Sequence, residues 1–364
     1  MRFNNLQILR LVAAMGVALS HLGIAAEMVF GVSDGSTEWL RMPRLSPLWV
    51  QTFFALSGFV LTHALQSCPP GRYLYLRAAR LYPAYWIVTG TVIALIWSGW
   101  WPGRYPIEPN PSFAGLFLLP VRSGQPGGSI LFVEWTLVYE VFLSVSLLGL
   151  WWVAGRKRLP LMVCVWLLVL GVKSLYRPGY GSEMVASWKS IFLSAYTIPF
   201  LLGVLAYTLN RHSRRWRWAG ALAAVVLNVA AGSQAWSTDP HCWLRGAAAA
   251  LIVWSLVQFR DVSATHPLVA AGGYSYGLYL LHFPIILFAF QAMRAADWLV
   301  GTWSGVALCG GLALCGGLVF GWLELKLYGQ LKKLANPALI QRLRRRMAGT
   351  WRWLPTRAAA RRGG

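Results

Sequence analysis

Ionisable side chains inside long apolar runs are where this sequence could do chemistry, because each costs about 2.5–3.5 kcal/mol to insert at the centre of a bilayer. Arg10 and His21 share the first such run. Eleven residues is close to three turns of helix, so both side chains fall on nearly one face, about 16 Å apart along the axis. Ala14, Val17 and Ala18 line the stripe between them and leave room for a groove or for close helix packing. Further on, YLRAARLYPAYW sets Arg77 and Arg80 three residues apart on one helical face, a spacing that grips phosphate or simply marks a positive rim. In EWTLVYEVF, Glu140 follows Glu134 by six residues and lies about 9 Å deeper. His21 falls at a similar depth from the same side, which makes Glu140 its expected carboxylate partner. Such a carboxylate orients an imidazole and stabilises its charged form, the arrangement used in general-base catalysis. In SYGLYLLHFP, Tyr276, Tyr279 and His282 recur every three residues; Tyr279 and His282 are expected in supporting roles, and His282 reads first as a packing group. Ser57 in FFALSGF lacks the strand-turn-helix setting of a nucleophile elbow.

These residues need a scaffold that holds charge in oil. Of 364 residues 57% are hydrophobic and 12% charged, a balance that leaves a water-soluble domain with large exposed apolar patches. The fold expected is therefore an all-α, polytopic transmembrane bundle of about ten spanning helices. Apolar runs lie near 6–26, 47–66, 82–101, 131–154, 159–175, 191–209, 216–234, 243–258, 274–293 and 301–325. The division is a membrane domain over 1–325 and a basic tail over 326–364, where LKKL and QRLRRRM resemble a segment that lies on anionic lipid. FAGLFLLP, in the loop after the third run, is too short to cross and is expected in the interface or dipping into the bundle. The 21 Trp residues are expected as interfacial anchors.

The net charge of +22 would suggest nucleic acid in a soluble chain. With both termini cytoplasmic it has a simpler origin: 23 of the 33 Lys and Arg fall on the inner side, nine on the outer side, and Arg10 within the first run. Nucleic acid is not needed as a partner, and the location expected is a bacterial inner membrane, crossed many times. Cys68, Cys164, Cys242, Cys309 and Cys315 are odd in number and make neither a disulfide framework nor a zinc site. No metal cluster, P-loop or dinucleotide fingerprint is present, so neither a metal nor a bound cofactor is expected.

NNLQILRLVAAMGVALSHLG, FFALSGFVLTHAL, YLRAARLYPAYWI, EWTLVYEVFL and SYGLYLLHFPI occur in this order over nearly the whole chain, roughly 4 to 325. Together they resemble the integral-membrane acyltransferase family 3. The resemblance implies transfer of an acyl group, commonly acetyl, from cytoplasmic acyl-CoA to an extracytoplasmic carbohydrate, either a finished glycan or a lipid-linked one. It carries the family's Arg and His of the first helix onto Arg10 and His21, its Arg-x-x-Arg pair onto Arg77 and Arg80, and its Glu onto Glu140. Without an added periplasmic hydrolase-like domain, the chain is most similar to members that decorate exopolysaccharide repeat units of xanthan or succinoglycan type.

The mechanism this implies brings acyl-CoA in from the cytoplasm, with its phosphates on Arg10, Arg77 and Arg80 and its thioester reaching His21. His21 acts as general base on a sugar hydroxyl, with Glu140 behind it, or forms an acyl-histidine. The rival reading is a transporter or flippase of a lipid-linked or anionic substrate, which the same buried charges would suit; the paired halves with broken helices usual in transporters are not seen in the sequence.

Overall fold

A computed structural model describes residues 3–31, 46–105, 112–121, 130–180, 187–210, 216–232, 239–299 and 302–334. Among them the chain is helical: α1 Asn4–Phe30, α2 Ser46–Ser67, α3 Pro70–Trp97, the short α4 Phe113–Leu116, α5 Glu134–Tyr176, α6 Thr197–Thr208, α7 Arg217–Ala230, α8 Asp239–Gln258, α9 Pro267–Gly273, α10 Ser275–Ala295 and α11 Trp303–Leu334. Seven of these, α1, α2, α3, α5, α8, α10 and α11, are long and apolar enough to cross a membrane, while α6 and α7 are apolar but shorter. All ten apolar runs thus contain helix, although two of those helices fall short of a full span by themselves.

The runs 131–154 and 159–175 form one element of 43 residues. A straight helix of that length would measure about 65 Å, twice the thickness of a hydrocarbon core. The chain breaks instead at Gly155, with φ 63° and ψ 178°. Glycine alone adopts that conformation at little cost, so the two arms join through a single residue rather than through a loop over 155–158, the gap between the two runs.

Three boundaries differ from expectation. α3 begins twelve residues before the run at 82–101, because Pro70 suits a first helical turn and Tyr73 to Arg80 continue the helix, so Arg77 and Arg80 sit on one helix, as their spacing implied. The 191–209 run opens with a 3₁₀ turn at Ile191–Leu193 before α6. α11 runs nine residues past 325, to Leu334; most of the expected basic tail, 335–364, lies outside the described residues. The FAGL segment is α4, capped by Ser112 and clasped by α3: Tyr82 donates to Phe117 O, Tyr85 to Gly115 O and Trp86 to Leu116 O, at 2.9, 2.9 and 2.8 Å. Those bonds satisfy carbonyls that a one-turn helix leaves open.

α1 lies at the centre, against α2, α8, α9, α10 and α11. Exposed side chains such as Trp152, Val153, Leu168 and Leu175 cover the outside of α5, as a lipid-facing helix requires. Exposed Trp97, Trp216 and Trp303 stand at helix ends, the positions of an aromatic belt. Inside, helices approach through small residues. Gly277 on α10 meets Gly321 on α11 so closely that a Cβ on Gly277 would lie 2.4 Å from the Gly321 backbone, and one on Gly321 would lie 2.2 Å from Tyr274 O.

That contact is backbone against backbone, so it cannot be relieved by a rotamer. Gly321→Ile is expected to lower the thermal midpoint in detergent, with a loss of about 1–3 kcal/mol. Gly311→Ala, on the same helix but facing open space, is expected to leave the midpoint unchanged.

Candidate functional site

A cavity opens between α1, α2, α3, α5 and α10. Its charged wall is Arg10, Arg77, Arg80 and Glu140; its apolar wall includes Phe53, Phe54, Leu61 and Leu137; and Thr136, Tyr276 and Tyr279 also line it. Five of the seven residues expected to take part in the chemistry, Arg10, Arg77, Arg80, Glu140 and Tyr279, therefore share one space. His21 and His282 do not line it and form a separate contact beside it.

The carboxylates are placed differently from expectation. Glu140 faces Arg77, to which it is ion-paired and hydrogen-bonded, and the Ser57 hydroxyl donates to the same oxygen at 3.4 Å. It is not the hydrogen-bond partner of His21. Depth along two helices had suggested that pairing, but depth leaves open which way each side chain turns, and a guanidinium one neighbour away is the stronger attraction. Ser57, set aside as a nucleophile, supports Glu140.

Arg80 joins four helices. Its Nη1 donates to both oxygens of Glu324 on α11, at 2.6 and 2.7 Å, its Nη2 donates to Gly273 O at the end of α9, at 3.1 Å, and its guanidinium stands over the rings of Tyr276 on α10 and Tyr328 on α11. Glu324 is 4% exposed. The sequence reading missed it, although it is the sole acidic residue of the run at 301–325 and so carried the same signal as Glu140.

Arg10 is the exception among the three arginines. It lies within Coulombic reach of Arg77, Arg80, Glu140 and Glu324, yet among the described residues it has no ion-paired or hydrogen-bonded partner. Two more buried donors are unpartnered here: Nε of Arg77 and Oγ of Ser275, both on lining residues. Three cations face two carboxylates, with spare donors beside them, so the cavity is built to receive an anion.

Tyr279 stands between the cavity and the histidines. Its hydroxyl meets Thr136 Oγ1 at 2.5 Å, Thr136 itself donates to Val133 O at 3.0 Å, and the Tyr279 ring lies 5.9 Å from that of His282. His21 Nδ1 and His282 Nε2 are 2.8 Å apart. Phe132 and Phe283 stack on each other at 4.5 Å and both make T-shaped contacts with His21, at 5.3 and 5.5 Å. Just before Phe132 in the chain, the backbone N–H groups of Ile130 and Leu131 donate to the Glu134 carboxylate at 2.9 and 3.3 Å. His282, which reads first as a packing group, is thus in direct hydrogen-bond contact with His21.

Among the described residues no group of three or more His, Cys, Asp or Glu could hold a metal ion. A further buried ion pair, Lys173 Nζ to both Asp239 oxygens at 2.9 Å, ties α5 to α8 and has no part in the cavity.

Comparison with known proteins adds to this geometry. A family model described as acyltransferase domain, of family 3, matches residues 3–322. The chain is 24% identical to acyltransferase MdmB of Streptomyces mycarofaciens over 83% of this chain and 84% of that protein. It is 27% identical to the exopolysaccharide production protein ExoZ of Rhizobium meliloti over 43% of this chain and 47% of that protein, less than half of each. A shorter match, 42% identical over 23% of this chain and 40% of the other, is to protein 2 in the picA locus of Rhizobium radiobacter. No solved structure matches.

The Arg80–Glu324 pair is buried enough that removing one partner strands a charge. Glu324→Gln is expected to cost about 3–5 kcal/mol, read as a lower thermal midpoint, and the double variant Arg80→Met with Glu324→Met is expected to lose less than Glu324→Gln alone.

Proposed function

Because the chain belongs to the membrane acyltransferases of family 3, whose domain spans residues 3–322, we propose that it moves an acyl group from acyl-CoA to a carbohydrate hydroxyl. Family membership favours an acyltransferase over the transporter reading. The acyl-CoA donor, the acetyl group, the carbohydrate acceptor and the bacterial inner membrane are the finer parts of the proposal. What supports an exopolysaccharide acceptor is the likeness to ExoZ, by its name an exopolysaccharide production protein.

The observation that carries the reading is the cavity with Arg10 free and spare donors beside it, ending at Tyr279 next to the two histidines. The positive-inside distribution of Lys and Arg favours an N-terminus in the cytoplasm, which makes the arginine end of the cavity the cytoplasmic one. A donor phosphate pairs with Arg10, assisted by Arg77 and Arg80, which Glu140 and Glu324 hold in position. Glu140 thus contributes by orienting Arg77 rather than by touching His21. The pantetheine arm follows the apolar wall past Phe53 and Leu137, and passing Tyr279 requires its hydroxyl to leave Thr136.

At the histidine, Nε2 of His21 takes the proton of the sugar hydroxyl as the oxygen attacks the thioester carbonyl. The carbon–sulfur bond breaks, the thiolate leaves with that proton, and ester and free CoA result. The version through an acyl-histidine uses the same nitrogen as nucleophile.

Two substitutions test the two ends separately. His21→Ala is expected to abolish acylation of the host's surface polysaccharide, read as a lost mass increment by mass spectrometry, with membrane levels of the protein unchanged. Full acylation in that variant would sink the mechanism. Arg10→Ala removes one to two charge-assisted hydrogen bonds, so the KM for acetyl-CoA is expected to rise roughly 10–100-fold while kcat changes less.

A further inference from the structure

The pairing of the two histidines decides which nitrogen of His21 is basic. His282 Nδ1 lies 3.0 Å from Leu278 O, the carbonyl one turn earlier on α10. A carbonyl oxygen only accepts, so Nδ1 of His282 carries a hydrogen. Both rings are buried, and no carboxylate among the described residues is hydrogen-bonded to either. That is the setting of a neutral pair. In a neutral imidazole the other nitrogen is then a bare lone pair, so Nε2 of His282 accepts. Its partner at 2.8 Å is Nδ1 of His21, which must donate. His21 is left with its lone pair on Nε2, and no described residue hydrogen-bonds that atom.

We infer that His282 is a positioning residue: through the chain Leu278 O, His282, His21 it holds His21 in the Nδ1–H tautomer and leaves Nε2 as the one atom able to take the acceptor's proton. The inference rests on the proposed role of His21. The balance is simple. Nε2 of His21 gains the hydroxyl proton and the ring becomes an imidazolium; its Nδ1–H already points at the His282 lone pair, which stabilises the new charge without any proton moving between the rings. When the thiolate takes the proton, the pair returns to its starting state. The arrangement does with a second imidazole and a backbone carbonyl what a carboxylate does behind the histidine of a triad. It also explains why Glu140 is free to serve Arg77.

The helix makes the chain of bonds rigid. Leu278 and His282 are four apart on α10, so the carbonyl and the ring that it orients belong to one turn. Phe283, on the same helix, and Phe132 stack on each other and pack together against one side of the His21 ring.

Two replacements at one position separate this from a packing role. Phenylalanine keeps an aromatic ring of similar size and removes the acceptor. Glutamine places an amide oxygen near the site of the imidazole Nε2 and keeps the acceptor. Acylation of the host polysaccharide is measured by mass spectrometry at matched membrane levels. His282→Phe is expected to lose activity by on the order of 100-fold, the scale of general-base catalysis, while His282→Gln retains at least a tenth of the wild-type level. If ring packing is what matters, the order reverses, and His282→Phe at or above His282→Gln overturns the inference. Should His282→Phe fail to reach the membrane, His282→Asn replaces it: asparagine mimics the Nδ1 side only, so it is expected to fall about tenfold below glutamine, and equality of the two overturns the proposal. His21→Ala is run alongside. An active His21→Ala removes the mechanism and this inference together, whereas an inactive one with an active His282→Phe removes the inference alone.

Discussion

Charge inside a bundle that faces lipid has to be answered by charge, and the architecture around the cavity follows from that constraint. Arg77 and Arg80 lie one turn apart on α3, and each is met by a carboxylate from a different helix, Glu140 from α5 and Glu324 from α11. The cost of leaving either guanidinium unpaired in a low-dielectric interior exceeds the net gain from pairing it, so the two ion pairs dictate which helices adjoin α3. Arg80 goes further, since its second nitrogen and its flat face draw in the end of α9 and the start of α10. Helices α3, α9, α10 and α11 are thereby gathered around one arginine.

Against that background a cation without a partner stands out. Arg10 shares the field of both pairs and has no countercharge of its own among the described residues. The field of a net positive cavity attracts an anion, which would complete the charge balance that the described residues leave open. The same argument gives the apolar wall a purpose, because a ligand with a charged head and a thin arm can satisfy both surfaces at once. Glycine contacts between α10 and α11 let Glu324 reach across to Arg80, so the packing of small residues and the placement of charge are parts of one design.

The histidine pair obeys a different rule. Two buried imidazoles near each other favour neutrality, and neutral rings exchange one hydrogen bond in a direction that the next acceptor along the chain must choose. Here the next acceptor is a helix carbonyl, a group that never donates, so the direction is settled by the backbone. Tyr279 divides this neutral region from the charged one. It bonds Thr136 on α5 and touches His282, and so the cavity and the pair are neighbours without being one space.

Much of this was legible in the chain before any fold was known. Hydropathy determined an all-helical membrane protein, since only helices or closed barrels satisfy their backbones in lipid and the runs are too long and continuous for strands. The cost of buried charge singled out Arg10, His21, Arg77, Arg80 and Glu140, and the motifs that carry them pointed to the family. What the chain alone could not determine was pairing. Glu140 and Glu324 each lie in an apolar helix at a depth that fits several cations, and spacing along one helix does not say which neighbour another helix presents. The break at Gly155 was equally hidden, because one residue at positive φ does the work expected of a loop. The contact of His282 was hidden for the same reason, since its partner, 2.8 Å away, is a side chain 261 residues distant in sequence. Periodicity is a property of one helix, and partnership is a property of two, so only the tertiary structure decided which charges meet and which nitrogen is left free.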